Sequence, residues 1–185
     1  TNGNAIGVFG FGLISFSYLH NSSDGIDSTN SAGDMVSIFN NIIDTCTNGI
    51  TIGANFGIKV INNTIYGCTT GITGSTGNNG SYINNIISGC TTGASWTTEQ
   101  LINFWDNNCW NNTTDVSNVT KGDNDITGNP NLTDPANGDF TLSSGSNSLD
   151  AGMQIGVNEG AVGDFKWNIG VDQDDNTSLG YGFVN

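Results

Sequence analysis

Ser37-Ile-Phe-Asn-Asn-Ile-Ile-Asp-Thr-Cys-Thr-Asn-Gly-Ile50, Lys59-Val-Ile-Asn-Asn-Thr-Ile-Tyr-Gly-Cys-Thr-Thr-Gly-Ile72 and Ser81-Tyr-Ile-Asn-Asn-Ile-Ile-Ser-Gly-Cys-Thr-Thr-Gly-Ala94 align without a gap, each starting 22 residues after the last. A repeat of this length built from short apolar runs and a fixed Asn marks a solenoid of stacked units. The Leu-x-x-Leu-x-Leu spacing of leucine-rich repeats is missing, which leaves a parallel β-helix. Side chains two apart share one face of a strand. Strict alternation therefore predicts inward columns of Phe39, Ile61 and Ile83, then Asn41, Asn63 and Asn85, then Ile43, Ile65 and Ile87. Neighbouring coils stand about 4.8 Å apart, so the inward asparagines can bond to one another and to turn backbone as a ladder. Cys46, Cys68 and Cys90 make the next column. Gly49, Gly71 and Gly93 follow at a turn, and Ile50, Ile72 and Ala94 open the next strand.

The pattern continues more weakly both ways. Asp24-Gly25-Ile26 precedes Asn48-Gly49-Ile50 by 24 residues, so Leu13 to Ile26 is read as an earlier coil. Downstream, Asn107-Asn108 follows Asn84-Asn85 by 23, read as one more coil with a one-residue insertion. About five coils fill residues 1–115. Residues 116–185 hold both prolines and most of the acidic residues, and are read as a C-terminal extension capping the last coil. Solenoid ends need such caps to hide an open strand edge.

Composition agrees with an all-β chain. Asn, Thr, Ser and Gly supply 94 of 185 residues, which disfavours helix and favours turns. Three Lys, no Arg and 17 acidic residues give a net charge of −14. Such a chain cannot neutralise a row of phosphates, so nucleic acid and anionic membrane surfaces are excluded as expected partners. No apolar run reaches the roughly 18 residues a membrane-spanning helix requires. The chain starts at Thr1 with no Met and no signal-like segment, as expected of a processed product or a piece of a longer chain.

The Asn-Asn-(Ile/Thr)-Ile and Gly-Ile coil resembles the generic repeat of right-handed parallel β-helix proteins of the pectate-lyase-like superfamily. The tail segments Asn129-Pro-Asn-Leu-Thr-Asp-Pro-Ala-Asn-Gly-Asp-Phe-Thr-Leu142, Gly145-Ser-Asn-Ser-Leu-Asp-Ala-Gly152 and Asn168-Ile-Gly170 are similar to a C-terminal module of secreted members. Together they cover most of the chain beyond about residue 13. The resemblance implies a right-handed helix and an extracellular setting. It leaves activity open, because the superfamily spans lyases, hydrolases, epimerases, viral tailspikes and noncatalytic surface proteins.

Each candidate chemistry meets a simpler structural role. A uronate lyase of this kind is expected to use cationic groups, but there is no Arg, and Lys59, the one Lys of the repeats, falls on the outer face as an ordinary solvated charge. A hydrolase needs paired carboxylates with different pKa values. Asp24, Asp27 and Asp44 are the candidates, yet the equivalents of Asp44 are Tyr66 and Ser88, so no acidic column forms. His20 has acid–base potential but reads better as a turn residue. The four cysteines leave two readings open, disulfides or buried free thiols; three in one column leave one unpaired, which favours thiols. Zinc has no Cys-x-x-Cys to bind.

Asp172, Asp174 and Asp175 are weak calcium candidates without the EF-hand pattern, and calcium is the one cofactor entertained. Tyr66, Tyr82, Trp96, Trp105 and Trp110 are candidates for a glycan- or partner-binding surface; the competing reading packs the tryptophans between helix and tail. Eight sequons, at Asn21, Asn62, Asn79, Asn111, Asn112, Asn118, Asn131 and Asn176, are candidate glycosylation sites. The function expected is a noncatalytic extracellular structural or adhesive module of a surface, filament or virion protein. Its expected partners are carbohydrate or neighbouring subunits, homo-oligomers included. The alternative is a polysaccharide-degrading enzyme acting through Asp24, Asp27 or Asp44.

Overall fold

The computed structural model describes residues 3–30, 35–54, 56–77, 79–100, 102–153 and 170. Three parallel sheets run the length of the coils. Sheet A holds β1 (Ile6–Gly7), β4 (Asp24–Asp27), β7 (Asn48–Ile52), β10 (Thr70–Gly74), β13 (Thr92–Gln100) and β16 (Thr114–Val119). Sheet B holds β2 (Gly12–Ser15), β5 (Val36–Phe39), β8 (Phe56–Ile61), β11 (Asn79–Ile83) and β14 (Asn103–Trp105). Sheet C holds β3 (Tyr18–His20), β6 (Ile42–Asp44), β9 (Thr64–Tyr66), β12 (Ile86–Ser88) and β15 (Asn108–Trp110). Each coil contributes one strand to each sheet. The fold is an all-β parallel solenoid with no α-helix among the described residues, none of which forms a helix long and apolar enough to cross a membrane.

The apolar core is a set of columns. Ile26, Ile50 and Ile72 line sheet A, Ile38 and Val60 line sheet B, and Ile43, Ile65 and Ile87 line sheet C, all at 0% exposure. Each such side chain contributes roughly 1.5–3 kcal/mol by leaving water.

Strict alternation fails at one corner. The inward column of sheet B is Ile38, Val60, Tyr82 and Phe104, not Phe39, Ile61 and Ile83. The cause lies in the next residue. Asn40, Asn62, Asn84 and Asp106 all take left-handed backbone, with φ of 53°, 55°, 56° and 54°. This bend between sheets B and C breaks the two-residue period, so the inward positions run 38, 41, 43 instead of 39, 41, 43. Asn and Asp tolerate this conformation because their short polar side chains bond locally. The first Asn of each Asn-Asn pair is therefore a corner and the second a ladder rung.

The rungs are buried and directional. Asn41 donates both its backbone N–H and its Nδ2 to Asn63 Oδ1, each at 3.0 Å. Asn63 does the same to Asn85 Oδ1, each at 3.0 Å, and Asn85 to Asn107 Oδ1 at 2.9 and 3.0 Å. The second Nδ2 hydrogen goes back to the carbonyls of Ile14, Ile38, Val60 and Tyr82 respectively. Asn107 is thus the fourth rung at an unbroken spacing of 22. Asn108 pairs with Ile86 and Cys109 with Ile87, so the last coil carries no insertion relative to its predecessor.

After β16 the chain closes the final coil. Gly122 donates to the Phe104 carbonyl at 2.9 Å, and Ile126 bridges β15 by donating to Asn107 and accepting from Cys109. It then turns back. β17 (Leu132–Asp134) and β18 (Asp139–Leu142) form an antiparallel hairpin around a short 3-10 turn at Pro135–Asn137. The hairpin's Phe140 lies edge-on to Tyr66 at 5.9 Å and to Tyr18 at 6.0 Å. Asn108 donates to Ser148 Oγ at 2.8 Å, and Asn84 exchanges bonds with the backbone of Met153 at 2.8 Å each way. The extension is accordingly more than an end cap. Its described residues touch the outside of sheet C from the last coil to the first, at Asn108, Tyr66 and Tyr18, where outward positions such as Asp44, Thr64, Ser88 and Asn108 are buried.

Candidate functional site

The candidate carboxylates do not converge. Asp24 and Asp27 sit on β4 of sheet A, where each is consumed locally. Asp24 Oδ1 accepts from Asn48 Nδ2 at 2.9 Å and from the Thr51 hydroxyl. Asp27 accepts from Asn4 Nδ2 at 2.6 Å and from Thr29 N and Oγ1 at 2.9 and 2.7 Å. Asp44 is on β6 of sheet C, in register with His20 before it and Tyr66 after it. Only 8% of it is exposed, and its Oδ1 has no hydrogen-bond partner. Burial pushes the Asp44 carboxyl above the usual carboxylate range, while the His20 imidazole and hydrogen bonds from Tyr18 and Thr45 pull the other way. Tyr18 stacks on His20 at 5.1 Å. A raised carboxyl beside an imidazole has acid–base potential, but among the described residues Asp24 and Asp27, the other two candidates, lie on sheet A and do not face it.

Two of the nominated aromatics belong to the core. Tyr82 is 0% and Trp96 1% exposed, against the expectation that both form a surface. Tyr82 turns inward because the left-handed Asn84 corner shifts the parity of its strand. Trp96 stacks in register on Gly74, where any Cβ would overlap the indole. The two rings meet edge-on at 5.0 Å, and Phe104 packs against both. Tyr66 is half-buried against Phe140. Trp105 and Trp110, at 41% and 37%, are the nominated aromatics with substantial exposure.

The cysteines are free and buried. Cys46, Cys68 and Cys90 each donate to the carbonyl two residues back, at 3.4, 3.6 and 3.6 Å. Burial first of all pushes the Cys109 thiol up to about 12. Among the described residues, no three His, Cys, Asp or Glu side chains come together as a metal-holding group. The calcium candidates Asp172, Asp174 and Asp175 and the sequon Asn176 lie outside the described residues. Several other sequon asparagines are structural. Asn21, Asn62 and Asn111 are left-handed corners, while Asn112, Asn118 and Asn131 donate Nδ2 to the carbonyls of Ile87, Trp96 and Gly145. Asn79 is exposed.

An open cavity remains on the outer face of sheet B, with no described residue of the tail in its lining. It is a shallow groove of about 240 Å³ lined by Gly57, Ile58, Lys59, Asn79, Gly80, Ser81 and Asn103. Lys59, Ser81 and Asn103 are in register on successive coils. Gly57 leaves the outer face bare, where a Cβ would meet only Met35 Cγ at 3.5 Å, whereas Gly80 is bare toward the core, where a Cβ would collide with Ile58 Cγ2 and Tyr82 Cε2. An irregularity in the pairing between Asn79 and Gly80 dents the sheet at the same place. Toward the first coil the same face becomes apolar, with Leu13 68% and Met35 54% exposed. Reading Lys59 as an ordinary solvated charge misses this groove; the signal available in the sequence was the pair of glycines flanking the Lys column.

Residues 12–145 match the family model described as "Periplasmic copper-binding protein (NosD)". No curated protein and no solved structure matches the sequence.

Proposed function

The chain belongs to the NosD family, and from that premise we propose that it is a noncatalytic β-helical module working outside the cytoplasm, where it binds carbohydrate along the groove of sheet B. The observation that carries this reading is the contrast between two outer faces. Sheet C has part of the chain's own tail packed on it, at Tyr18, Tyr66 and Asn108, whereas sheet B presents a dented groove edged by Lys59, Asn79, Ser81 and Asn103. A sugar needs such a shallow surface with several hydrogen-bonding groups. The separation of Asp24, Asp27 and Asp44 onto different sheets supports a binding role over a hydrolytic one. A surface, filament or virion setting is compatible with a solenoid that spends its composition on ladders.

Among the described residues the copper of the family's description finds no matching donor set. His20 Nδ1 is in contact with Asn21 Nδ2, and the thiols face the core with Cys46, Cys68 and Cys90 bonded to backbone. No step of the proposed function passes through copper.

The test is a glycan array and calorimetric titration of the purified chain, alongside a variant carrying Ser81→Ala and Asn103→Ala. The expected result is binding to a subset of glycans that the double variant loses while keeping its melting temperature. Absence of any glycan binding, or binding untouched by the variant, overturns the proposal. A second reading is favoured by the orphaned, protonation-prone Asp44 beside His20, namely a polysaccharide hydrolase. Release of reducing ends from a polysaccharide panel, lost in Asp44→Asn, would establish that reading instead.

A further inference from the structure

Resting on the carbohydrate reading above, we infer that the groove of sheet B selects an anionic sugar unit, its carboxylate or sulfate lying against the Lys59 ammonium. Lys59 is the one Lys or Arg among the first 120 residues of a chain with 17 acidic ones, and it stands in the wall of the groove. Among the described residues no carboxylate pairs with it; the one ion pair is Lys121 with Asp115 at 3.2 Å. Among the described residues that line the groove, none is acidic. In register along the outer face of sheet B stand Leu13, Ser37, Lys59, Ser81 and Asn103.

The net charge of −14 argues against an anionic ligand at long range, but salt limits this repulsion to about 8 Å at physiological ionic strength. The groove's own composition therefore decides, and it is cationic. The neutral groups supply the rest of the recognition. Asn79 and Asn103 offer amides and Ser81 a hydroxyl, and Asn103 Nδ2 already reaches Ser81 Oγ at 3.4 Å. From Lys59 to Asn103 is two coil spacings, roughly 10 Å, a span suited to a disaccharide with its charged unit at the Lys59 end. The bare backbone at Gly57 lets a ring approach the sheet closely.

The test titrates the purified chain at low and at physiological salt with three probes: a glucuronate-bearing oligosaccharide, a sulfated oligosaccharide and their uncharged counterpart. The expected result is at least tenfold tighter binding of one or both anionic probes, weakening with salt. Lys59→Gln should erase that advantage while leaving neutral binding, Lys59→Arg should keep it, and Lys121→Gln should change nothing. Which anionic probe gains identifies carboxylate or sulfate as the group read. Equal binding of charged and uncharged probes, or an advantage that survives Lys59→Gln, overturns the inference and leaves the carbohydrate reading standing. Failure of all three probes together with the glycan array overturns both.

Discussion

The backbone N–H of Asn107 donates to Oδ1 of Asp125 at 2.7 Å, so a column of four buried asparagine amides ends on a carboxylate. Asn107 Nδ2 adds a longer contact to the same oxygen at 3.4 Å, and Gly122 N reaches Oδ2 at 2.8 Å. Every rung passes its backbone N–H and one Nδ2 hydrogen toward the C-terminal end, and Asp125 receives the last of these.

Burial raises the Asp125 carboxyl to about 6, although the donors from Asn107 and Gly122 and the charge of Lys121 oppose the shift. A carboxyl with a higher pKa folded than unfolded binds more protons in the folded state. Its contribution is present in full below about 3.8 and is lost as pH rises through about 6. Burial raises Asp44 and Asp106 in the same direction. The melting temperature should therefore fall between about pH 4 and pH 6.5. Asp125→Asn keeps an acceptor oxygen for Asn107 and should flatten part of that slope; a profile unchanged by the substitution contradicts the assignment.

Removing a middle rung should cost far more than removing a surface amide. Asn85→Ala orphans the N–H and Nδ2 donors of Asn63 and leaves Asn107 Oδ1 and the Val60 carbonyl short of partners. At about 1–3 kcal/mol per unsatisfied buried group, urea denaturation should show a loss of at least about 2 kcal/mol. Asn137→Ala, in the exposed hairpin turn, should stay within about 0.5 kcal/mol of the parent.

Gly74 is fixed by its neighbour one coil on. A methyl group there would overlap the indole of Trp96, which is itself 1% exposed and packed on Tyr82 and Phe104. Gly74→Ala should destabilise by about 1–3 kcal/mol through overpacking, with a red shift of tryptophan emission. Trp96→Ala should cost about 3–5 kcal/mol by leaving a cavity.

Phe140 pins the tail to sheet C, touching Tyr18 and Tyr66 from outside. Phe140→Ala should cost about 3–5 kcal/mol and should open residues 128–149 to limited proteolysis. A double-mutant cycle between Tyr18→Ala and Phe140→Ala should give a coupling of about 0.5–1.5 kcal/mol. A cycle with no coupling would show that the hairpin does not rest there.

The solenoid was legible because its energetics repeat: a ladder needs the same residue at the same place in every coil, and Asn63 and Asn85 occur where that demands. Corners were harder. Nothing in the strand pattern distinguishes the left-handed Asn62 from the inward Asn63, so alternation counted through the bend and sent Tyr82 to the wrong side. The groove escaped notice because it is made by a missing side chain, at Gly57, and by a local irregularity in strand pairing. The path of the tail depends on single long-range contacts such as Phe140 with Tyr18, and these leave no periodic trace in a sequence.

A stack of coils whose contacts are all between neighbours frays from its ends, each coil lost in turn at its own local cost. The brace from the last coil to Tyr18 of the first alters that accounting. Peeling off the first coil strips the hairpin of one of its supports, and releasing the hairpin uncovers the outer surface of β6 and β9 in the middle of the array. The two ends are joined in one cooperative unit, so a repetitive chain with an open-ended architecture should melt as a single block.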